Sequence, residues 1–139
     1  MESNLKLDNQ LCFKIYSAEK KMMKLYRAYL DELGITYSQY LVLLVLWERD
    51  AISVKELGEK LILDSGTLTP MLKRMETNQL ITRSRSKKDE RSVVITLTAK
   101  GKALNKEVEC IPNKFLEKIS LNTDELKALS ELLTKLVVK

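Results

Sequence analysis

Apolar residues recur every three or four positions through the first quarter of the chain. This spacing is that of a helix with one apolar face. Its members are Leu11, Ile15, Ala18, Met22, Leu25, Tyr29 and Leu33. We expect the helix to cover residues 8–33. Asp8 is a residue type that commonly caps the start of a helix, and Gly34 is one that commonly ends it.

The middle of the chain predicts a series of short elements. The apolar run at residues 40–47 indicates a buried second helix, with Ser38 as its expected cap. A short strand at residues 51–52 comes next, and Ser53 then caps a helix at residues 54–61, where Glu56 would complete a capping box. Asp64 caps a fourth helix that reaches about residue 78. Two helices joined by so short a turn are typical of a helix-turn-helix.

Residues 80–97 have a different pattern, with β-forming residues on both sides of the polar sequence SKKDE. The pattern predicts a β-hairpin whose tip lies in solvent. Thr98 begins another helix, at residues 99–119, which we expect to be kinked or broken at Pro112. A last amphipathic helix, capped by Asn122 or Thr123, runs to residue 138.

The predicted fold class is mainly α with a small β-hairpin wing, arranged as a winged helix-turn-helix. We expect residues 38–97 to form the winged lobe, residues 1–37 an N-terminal dimerisation helix with a thiol site, and residues 98–139 the C-terminal dimerisation helices. Long terminal helices would leave apolar stripes exposed in a monomer. A two-fold symmetric homodimer would cover them.

The charge of the chain narrows its possible partners. The net charge of +5 favours an anionic partner, either nucleic acid or an acidic membrane face. The cations cluster at the predicted hairpin tip rather than along one helix face, which disfavours the membrane. No apolar run approaches the roughly 20 residues that span a bilayer, and no secretion signal is visible. We therefore expect a cytoplasmic protein.

The residue types present argue against an enzyme. Histidine is absent, which excludes Ser-His-Asp and Cys-His catalytic sites and histidine-ligated zinc. The two cysteines, Cys12 and Cys110, are too few for a structural zinc site, and no glycine-rich phosphate loop occurs. A peroxide-consuming thiol enzyme is disfavoured further by the lack of a cysteine-activating arginine motif. We expect no metal and no cofactor.

The start of the fourth predicted helix, DSGTLTPMLKRME, combines small hydroxyl residues with cations. Small polar side chains let a helix N-terminus enter the major groove and reach phosphates and base edges. The candidate DNA contacts are Ser65, Thr67, Thr69, Lys73 and Arg74.

The predicted hairpin tip supplies a second cationic element. Residues 83–91 carry five cations against two acidic residues, which suits a phosphate backbone, although a charged tip can also be a solvated turn. We expect Arg91 to enter a narrow minor groove, with Asp89 orienting it. The candidate DNA contacts here are Arg83, Arg85, Lys87, Lys88, Asp89 and Arg91.

Two long segments resemble a known family. The sequence LGEKLILDSGTLTPMLKRMETNQLITRSRSKKDER is similar to the MarR family of winged-helix regulators. The sequence LDNQLCFKIYSAEKKMMKLYRAYLDELGITYSQYLVLLVLWE resembles the organic-hydroperoxide (OhrR-like) branch of that family. The resemblance covers residues 7–104. It implies a homodimer on a pseudo-palindromic operator in double-stranded DNA, with the recognition helix beginning at Asp64 and the wing carrying Asp89 and Arg91.

The resemblance also implies that Cys12 senses peroxide and that the hydroxyls of Tyr26 and Tyr37 bond its sulfur. Tyr26 lies 14 residues beyond Cys12, which is about 21 Å along a straight helix. Tyr26 could therefore reach Cys12 only from the partner subunit or around a bend. Without the resemblance, Cys12 would be interpreted as an inert thiol on an apolar face.

The leading hypothesis is a DNA-binding regulator, most simply a repressor, that leaves its operator when peroxide oxidises Cys12. Cys110 of the other subunit could condense with the oxidised sulfur, and that disulfide would change the spacing of the two recognition helices. Cys110 could equally be a structural residue. The alternative is a MarR-type repressor released by a small phenolic ligand, in which Cys12 has no redox role.

Overall fold

A computed structural model describes residues 3–89 and 91–138 of the chain. The chain divides into two compact units, residues 1–109 and residues 110–139, which are described separately. Within the described residues no helix is long and apolar enough to cross a membrane. The three-part division predicted from the sequence stays a prediction.

The first unit contains five described helices and a three-stranded antiparallel sheet. The helices are α1 (Leu11–Leu30), α2 (Tyr37–Glu48), α3 (Val54–Leu61), α4 (Ser65–Thr77) and α5 (Ala99–Val108). The strands are β1 (Ile52–Ser53), β2 (Ile81–Arg85) and β3 (Val93–Leu97), in the order β1-β3-β2. The second unit contains α6 (Ile111–Glu117) and α7 (Thr123–Val137). The prediction of a mainly α fold with a small β-hairpin wing is confirmed.

The core of the first unit lies where α2, α3 and α4 pack on one another and on the hairpin. Val42 and Leu43 of α2 are completely buried, as the apolar run at residues 40–47 predicts. The other side chains at the centre are Leu46, Ile52, Leu57, Leu68, Leu72, Met75, Ile81 and Ile95. The buried side of α4 therefore packs on α2, α3 and β2.

Two helices begin elsewhere than predicted. Helix α1 begins at Leu11, because residues 7–9 form a separate 3-10 turn that contains Asp8. Gln10 precedes α1 without capping it, and its side-chain amide donates to the Lys6 carbonyl instead. The prediction of Asp8 as the N-cap is wrong for this reason.

The cap of α2 is Thr36, not Ser38. The Thr36 hydroxyl accepts from the Gln39 N–H at 3.2 Å, and the Gln39 side-chain oxygen accepts from the Thr36 N–H at 3.1 Å. This reciprocal pair is a capping box, and it places Ser38 inside the first turn. A similar reciprocal pair, between Asn122 and Glu125, begins α7 at one of its two predicted caps.

Two predicted caps in the middle of the chain are confirmed. The Ser53 hydroxyl accepts from the Glu56 N–H at 3.1 Å, and the Asp64 carboxylate accepts from the Thr67 N–H at 2.7 Å. The predicted capping box at α3 is incomplete, however. The Glu56 carboxylate accepts from the Arg49 guanidinium at 3.1 Å instead of turning back to Ser53.

Predicted helix ends are also found. Gly34 adopts a left-handed backbone (φ 71°) after the 3-10 turn Asp31–Leu33 that follows α1. The helix predicted at residues 99–119 is broken between α5 and α6. Pro112 lies in the first turn of α6, where its missing N–H has no helical partner to lose.

The start of α5 is fixed tightly to the base of the hairpin. The Thr98 hydroxyl accepts from the Gly101 N–H at 3.0 Å and donates to the Gln79 carbonyl at 2.6 Å. The Trp47 indole N–H donates to the Gly101 carbonyl at 3.0 Å. A Cβ atom on Gly101 would lie 2.2 Å from the Leu80 carbonyl oxygen. Helices α2 and α5 and the turn after α4 therefore meet without room for a side chain at position 101.

Candidate nucleic-acid interface and thiol site

Asp64 fixes the first turn of α4. Hydrogen bonds from the backbone and side chain of Thr67 lower the pKa of the Asp64 carboxyl, because they favour its charged form. The carboxylate accordingly accepts one of the N–H groups that have no partner inside the helix. The remaining free donors at this end still favour an anion such as phosphate.

The predicted contacts on α4 lie on the side of the helix that faces away from the core. Leu68, Leu72 and Met75 form the buried side. Thr69 is half-buried, which gives it less access to a ligand than its neighbours have. The exposed candidates are Ser65, Thr67, Lys73 and Arg74. The hydroxyls near the start of the helix and the cations further along it are therefore accessible to a ligand.

The tip of the wing is closed by its own polar groups. The Ser86 N–H donates to the Ser92 carbonyl at 2.8 Å, and the Ser92 N–H donates to the Asp89 carbonyl at 2.9 Å. The Asp89 carboxylate accepts from the backbone N–H of Arg91 at 3.0 Å. Asp89 thus fixes the backbone at Arg91, because its side chain bonds the Arg91 N–H. Glu90, which was counted in the charge of this tip, lies outside the described residues.

The cations of the wing fall into two groups. Most are exposed, and these are Arg85, Lys87, Lys88 and Arg91. Arg83 differs from them, because its side chain is only 26% exposed and its Nε lies 3.2 Å from the Glu76 carboxylate of α4. The sequence pattern does not distinguish Arg83 from the other wing cations, because its partner Glu76 lies on a different element.

Cys12 is the second residue of α1 and is exposed in the single chain. The helix predicted over residues 8–33, with Asp8 as its cap, would place Cys12 about one turn beyond the helix start. Because α1 begins at Leu11, Cys12 instead lies in the first turn of the helix. Its exposed apolar neighbours include Leu11, Phe13 and Ile15. In the single chain Cys12 is therefore not a buried core thiol.

The rings of Tyr26 and Tyr37 are in contact. They meet edge to face with centroids 4.9 Å apart, and the ring of Tyr40 lies 5.8 Å from that of Tyr26. Burial, followed by the proximity of Tyr40 and Tyr37, raises the pKa of Tyr26 to about 12. Burial also raises the pKa of Tyr37. Both phenols are therefore hydroxyl donors at neutral pH.

Tyr40 stands at the start of the apolar run and is a buried core residue, as its pattern predicts, and its ring also lies beside that of Tyr37. The tyrosine cluster (Tyr26, Tyr37 and Tyr40) is remote from Cys12 of the same chain. Helix α1 is continuous from Leu11 to Leu30, so Tyr26 lies about 21 Å along the helix from Cys12.

The second cysteine, Cys110, is exposed and directly precedes α6 in the second unit.

A cavity of about 290 Å³ lies beside the tyrosine cluster, between α1 and the start of α2. Met23, Leu30 and Ile35 give it apolar walls, while Arg27 and Tyr37 add polar groups. Among the described residues no group of three or more cysteine or carboxylate side chains could hold a metal ion.

Comparison with known proteins gives consistent matches. The family model "Transcriptional regulator SarA/Rot" matches residues 24–108. The organic hydroperoxide resistance transcriptional regulator of Bacillus subtilis (strain 168) is 51% identical over 134 residues, which cover 96% of this chain and 91% of that protein.

Solved structures agree with these sequence matches. Reduced AbfR bound to DNA has a TM-score of 0.80 and 40% identity, covering 94% of this chain and 91% of that one. AbfR, a protein of Staphylococcus epidermidis, has also been solved overoxidised on DNA and in a disulfide form. A mutant of MarR from E. coli bound to operator DNA has a TM-score of 0.86 and 29% identity, covering 92% of this chain and 94% of that one.

Proposed function

The chain belongs to the MarR family of winged helix-turn-helix transcriptional regulators, in the organic-hydroperoxide branch and within the group that the SarA/Rot model describes, and we propose that it is a homodimeric repressor released from its operator by oxidation of Cys12. It is a DNA-binding transcriptional regulator and not an enzyme, as the sequence predicts. The dimer, the repressor role and the cysteine chemistry are the proposed part. We propose that it acts in the cytoplasm.

The exposed surface of α4 and the cationic wing support operator binding. Hydroxyls at the helix start would enter the major groove, and the exposed cations of the wing would contact the backbone and the adjacent minor groove. Two such lobes in a symmetric dimer would read half-sites about 34–36 Å apart. The exposed apolar residues of α1 and α7 support assigning the dimer contacts to residues 1–37 and 98–139.

The observation that carries the redox proposal is the place of Cys12, exposed in the first turn of α1. A thiolate there would attack the O–O bond of a hydroperoxide, giving a cysteine sulfenic acid and releasing the alcohol. The tyrosine cluster of the partner subunit would supply hydroxyl donors to the sulfur, since the cluster of the same chain is too far away. The thiol of the partner's Cys110 would then condense with the sulfenic acid, forming a disulfide and water.

The test is release of operator DNA by an organic hydroperoxide. The reduced protein should bind the operator, and the oxidant should weaken binding by about tenfold or more, in the range of ordinary allosteric coupling. Cys12→Ser should bind the operator and ignore the oxidant. Fluorescence anisotropy of labelled operator measures both, and a non-reducing gel should show a disulfide-linked dimer that Cys110→Ser lacks.

Cys110→Ser is also the matched control for the sensing step, because it removes the other thiol. Release that is undiminished in Cys12→Ser would refute the redox proposal. A Cys110→Ser variant that still responds, without a disulfide-linked dimer, would limit the sensing reaction to Cys12 alone.

The cavity beside the tyrosine cluster favours one second candidate, a repressor released by a small phenolic ligand. Its apolar walls, together with the Arg27 cation and the hydroxyls of Thr36, Tyr37 and Ser38, suit an aromatic ring that carries a polar group, although Asp31 also lines the cavity. Release by salicylate under strong reductant, undiminished in Cys12→Ser, would support this candidate over the redox one.

A further inference from the structure

We propose that Glu76 and Arg83 form a strut that sets the angle between α4 and the wing, so that Arg83 positions the wing instead of contacting DNA. The inference rests on the operator binding proposed above. It removes Arg83 from the set of DNA contacts and adds Glu76, an acidic residue, to the residues on which DNA affinity depends.

The strut bridges the turn that connects the two DNA-facing elements. Glu76 is the next-to-last residue of α4, and Arg83 is the middle residue of β2. Between them the chain reverses at Gln79, which adopts a left-handed backbone (φ 62°). The Leu80 N–H closes the turn by donating to the Met75 carbonyl at 3.0 Å. The side chains of Thr98 and Lys100 also donate to carbonyls of this turn, but they reach it from α5 and its cap. The ion pair is thus a direct side-chain link between α4 and β2.

The environment of Arg83 agrees with a positioning role. Arg83 is paired across the hairpin with Ile95, which is completely buried. Directly opposed residues of an antiparallel pair project from the same face of the sheet. Arg83 therefore leaves the wing on its core-facing side, toward α4, and its Nε meets the Glu76 carboxylate at 3.2 Å. The exposed wing cations Lys87 and Lys88 have no such link among the described residues.

The two roles of Arg83 predict opposite effects of neutralising Glu76. If Arg83 contacts phosphate, then removing the nearby carboxylate frees the cation and removes a negative charge, so DNA binding is unchanged or stronger. If the pair is a strut, the same change loosens the wing and weakens binding. The salt dependence separates the roles independently, because each lost phosphate contact lowers its slope by about one.

The experiment measures operator affinity at several salt concentrations for Glu76→Gln, Arg83→Gln and the double variant. We expect each single change to weaken binding about two- to fivefold, within the range of a partly exposed ion pair. The double variant should lose no more than either single variant, because all three break the same link. The salt slope should stay as in the wild type.

Lys87→Gln is the matched control, since it removes an exposed cation from the same wing. It should lower the salt slope by about one. If Glu76→Gln binds as well as or better than the wild type, or if Arg83→Gln lowers the slope as Lys87→Gln does, the strut is refuted. A wild-type protein without operator binding would instead refute the proposed function.

Thermal melting shows whether each variant is folded. Should the neutral variants fail to fold, the charge swap Glu76→Arg with Arg83→Glu keeps the inference testable. The swapped pair should bind the operator more tightly than Glu76→Arg alone, because the link is restored. Equal or weaker binding by the swapped protein would count against the strut.

Discussion

At the scale of single residues, Asp64 has the clearest physical role. Its carboxylate accepts from the Thr67 N–H at the point where α4 begins. The same bonds lower the carboxyl pKa below its ordinary value of 3.8. The unfolded chain therefore binds more protons at this residue than the folded protein does in acid. The stabilisation is complete above the unfolded pKa and is lost as the pH falls through the folded pKa.

Replacing Asp64 by Asn tests this linkage. The amide oxygen accepts the same hydrogen bond without titrating, so Asp64→Asn should lose less of its melting temperature than the wild type as the pH falls below about 4. Asp64→Ala should melt at a lower temperature even at neutral pH, because it cannot cap α4. Thermal melting followed by circular dichroism measures both. Coincident pH curves for Asn and the wild type would contradict the assignment.

Three of the four cap predictions that had a single candidate succeeded, and Asp8 failed because it lies in the separate 3-10 turn before α1. The three that succeeded are Ser53, Asp64 and Thr98. The choice of Ser38 failed because Thr36 competes with it, and only the backbone shows which of the two hydroxyls precedes the helical turn. The strut was not predictable either, since Glu76 and Arg83 have no local pattern that links them.

At the scale of elements, the contact of α5 with the hairpin base permits little change. The amide and carbonyl of Gly101 are both hydrogen-bonded, and its missing side chain leaves only the space that the Leu80 carbonyl needs. A side chain there must push α5 away from the turn after α4. The close approach of α5 to the hairpin base thus depends on the absence of a side chain at Gly101.

Gly101→Ala should therefore destabilise the protein by about 1–3 kcal/mol, the usual cost of overpacking. Gly66→Ala is the matched control, because its added Cβ would lie 3.5 Å from the Asp64 carboxylate, an ordinary contact. We expect the control to be neutral or more stable by up to about 1 kcal/mol. Urea unfolding measures both changes. Equal stabilities of the two variants would disprove the tight contact.

Element types were largely predictable and some element boundaries were not. The hydrophobic periods predict the helices and the hairpin, and Pro112 predicts the break between α5 and α6. The 3-10 turn at Leu7–Asn9 was missed, because it differs from α-helix by one step in hydrogen-bond register and shares its residue types. That error moved Cys12 out of the first turn, where the structure places it.

At the scale of the whole molecule, the apolar surface of the terminal helices is the main observation. In the first unit, the only fully buried residue of α1 is Leu30. In the second unit, none of the residues described in α7 is fully buried, although apolar side chains recur along it. The most exposed of these are Leu132, Leu136 and Val137. A second copy of the chain is the partner that the sequence predicts for this surface.

Leu132→Glu should shift the protein from dimer to monomer, because a charge would have to be buried at the predicted interface. Operator affinity should fall as well, since a monomer binds one half-site at a time. Ile62→Glu is the matched control for the mass measurement, because Ile62 is 75% exposed in the turn after α3, outside the terminal helices. Sedimentation velocity measures the mass, and a wild-type monomer at micromolar concentration would exclude the dimer.

Trp47 is the only tryptophan of the chain, and its indole hydrogen bond ends on the backbone of α5. The fluorescence excited at the indole band therefore comes from one location, the junction between α2 and α5. The native protein carries a built-in optical probe of that junction. Any rearrangement of that junction when DNA binds can be timed in stopped flow without an attached dye.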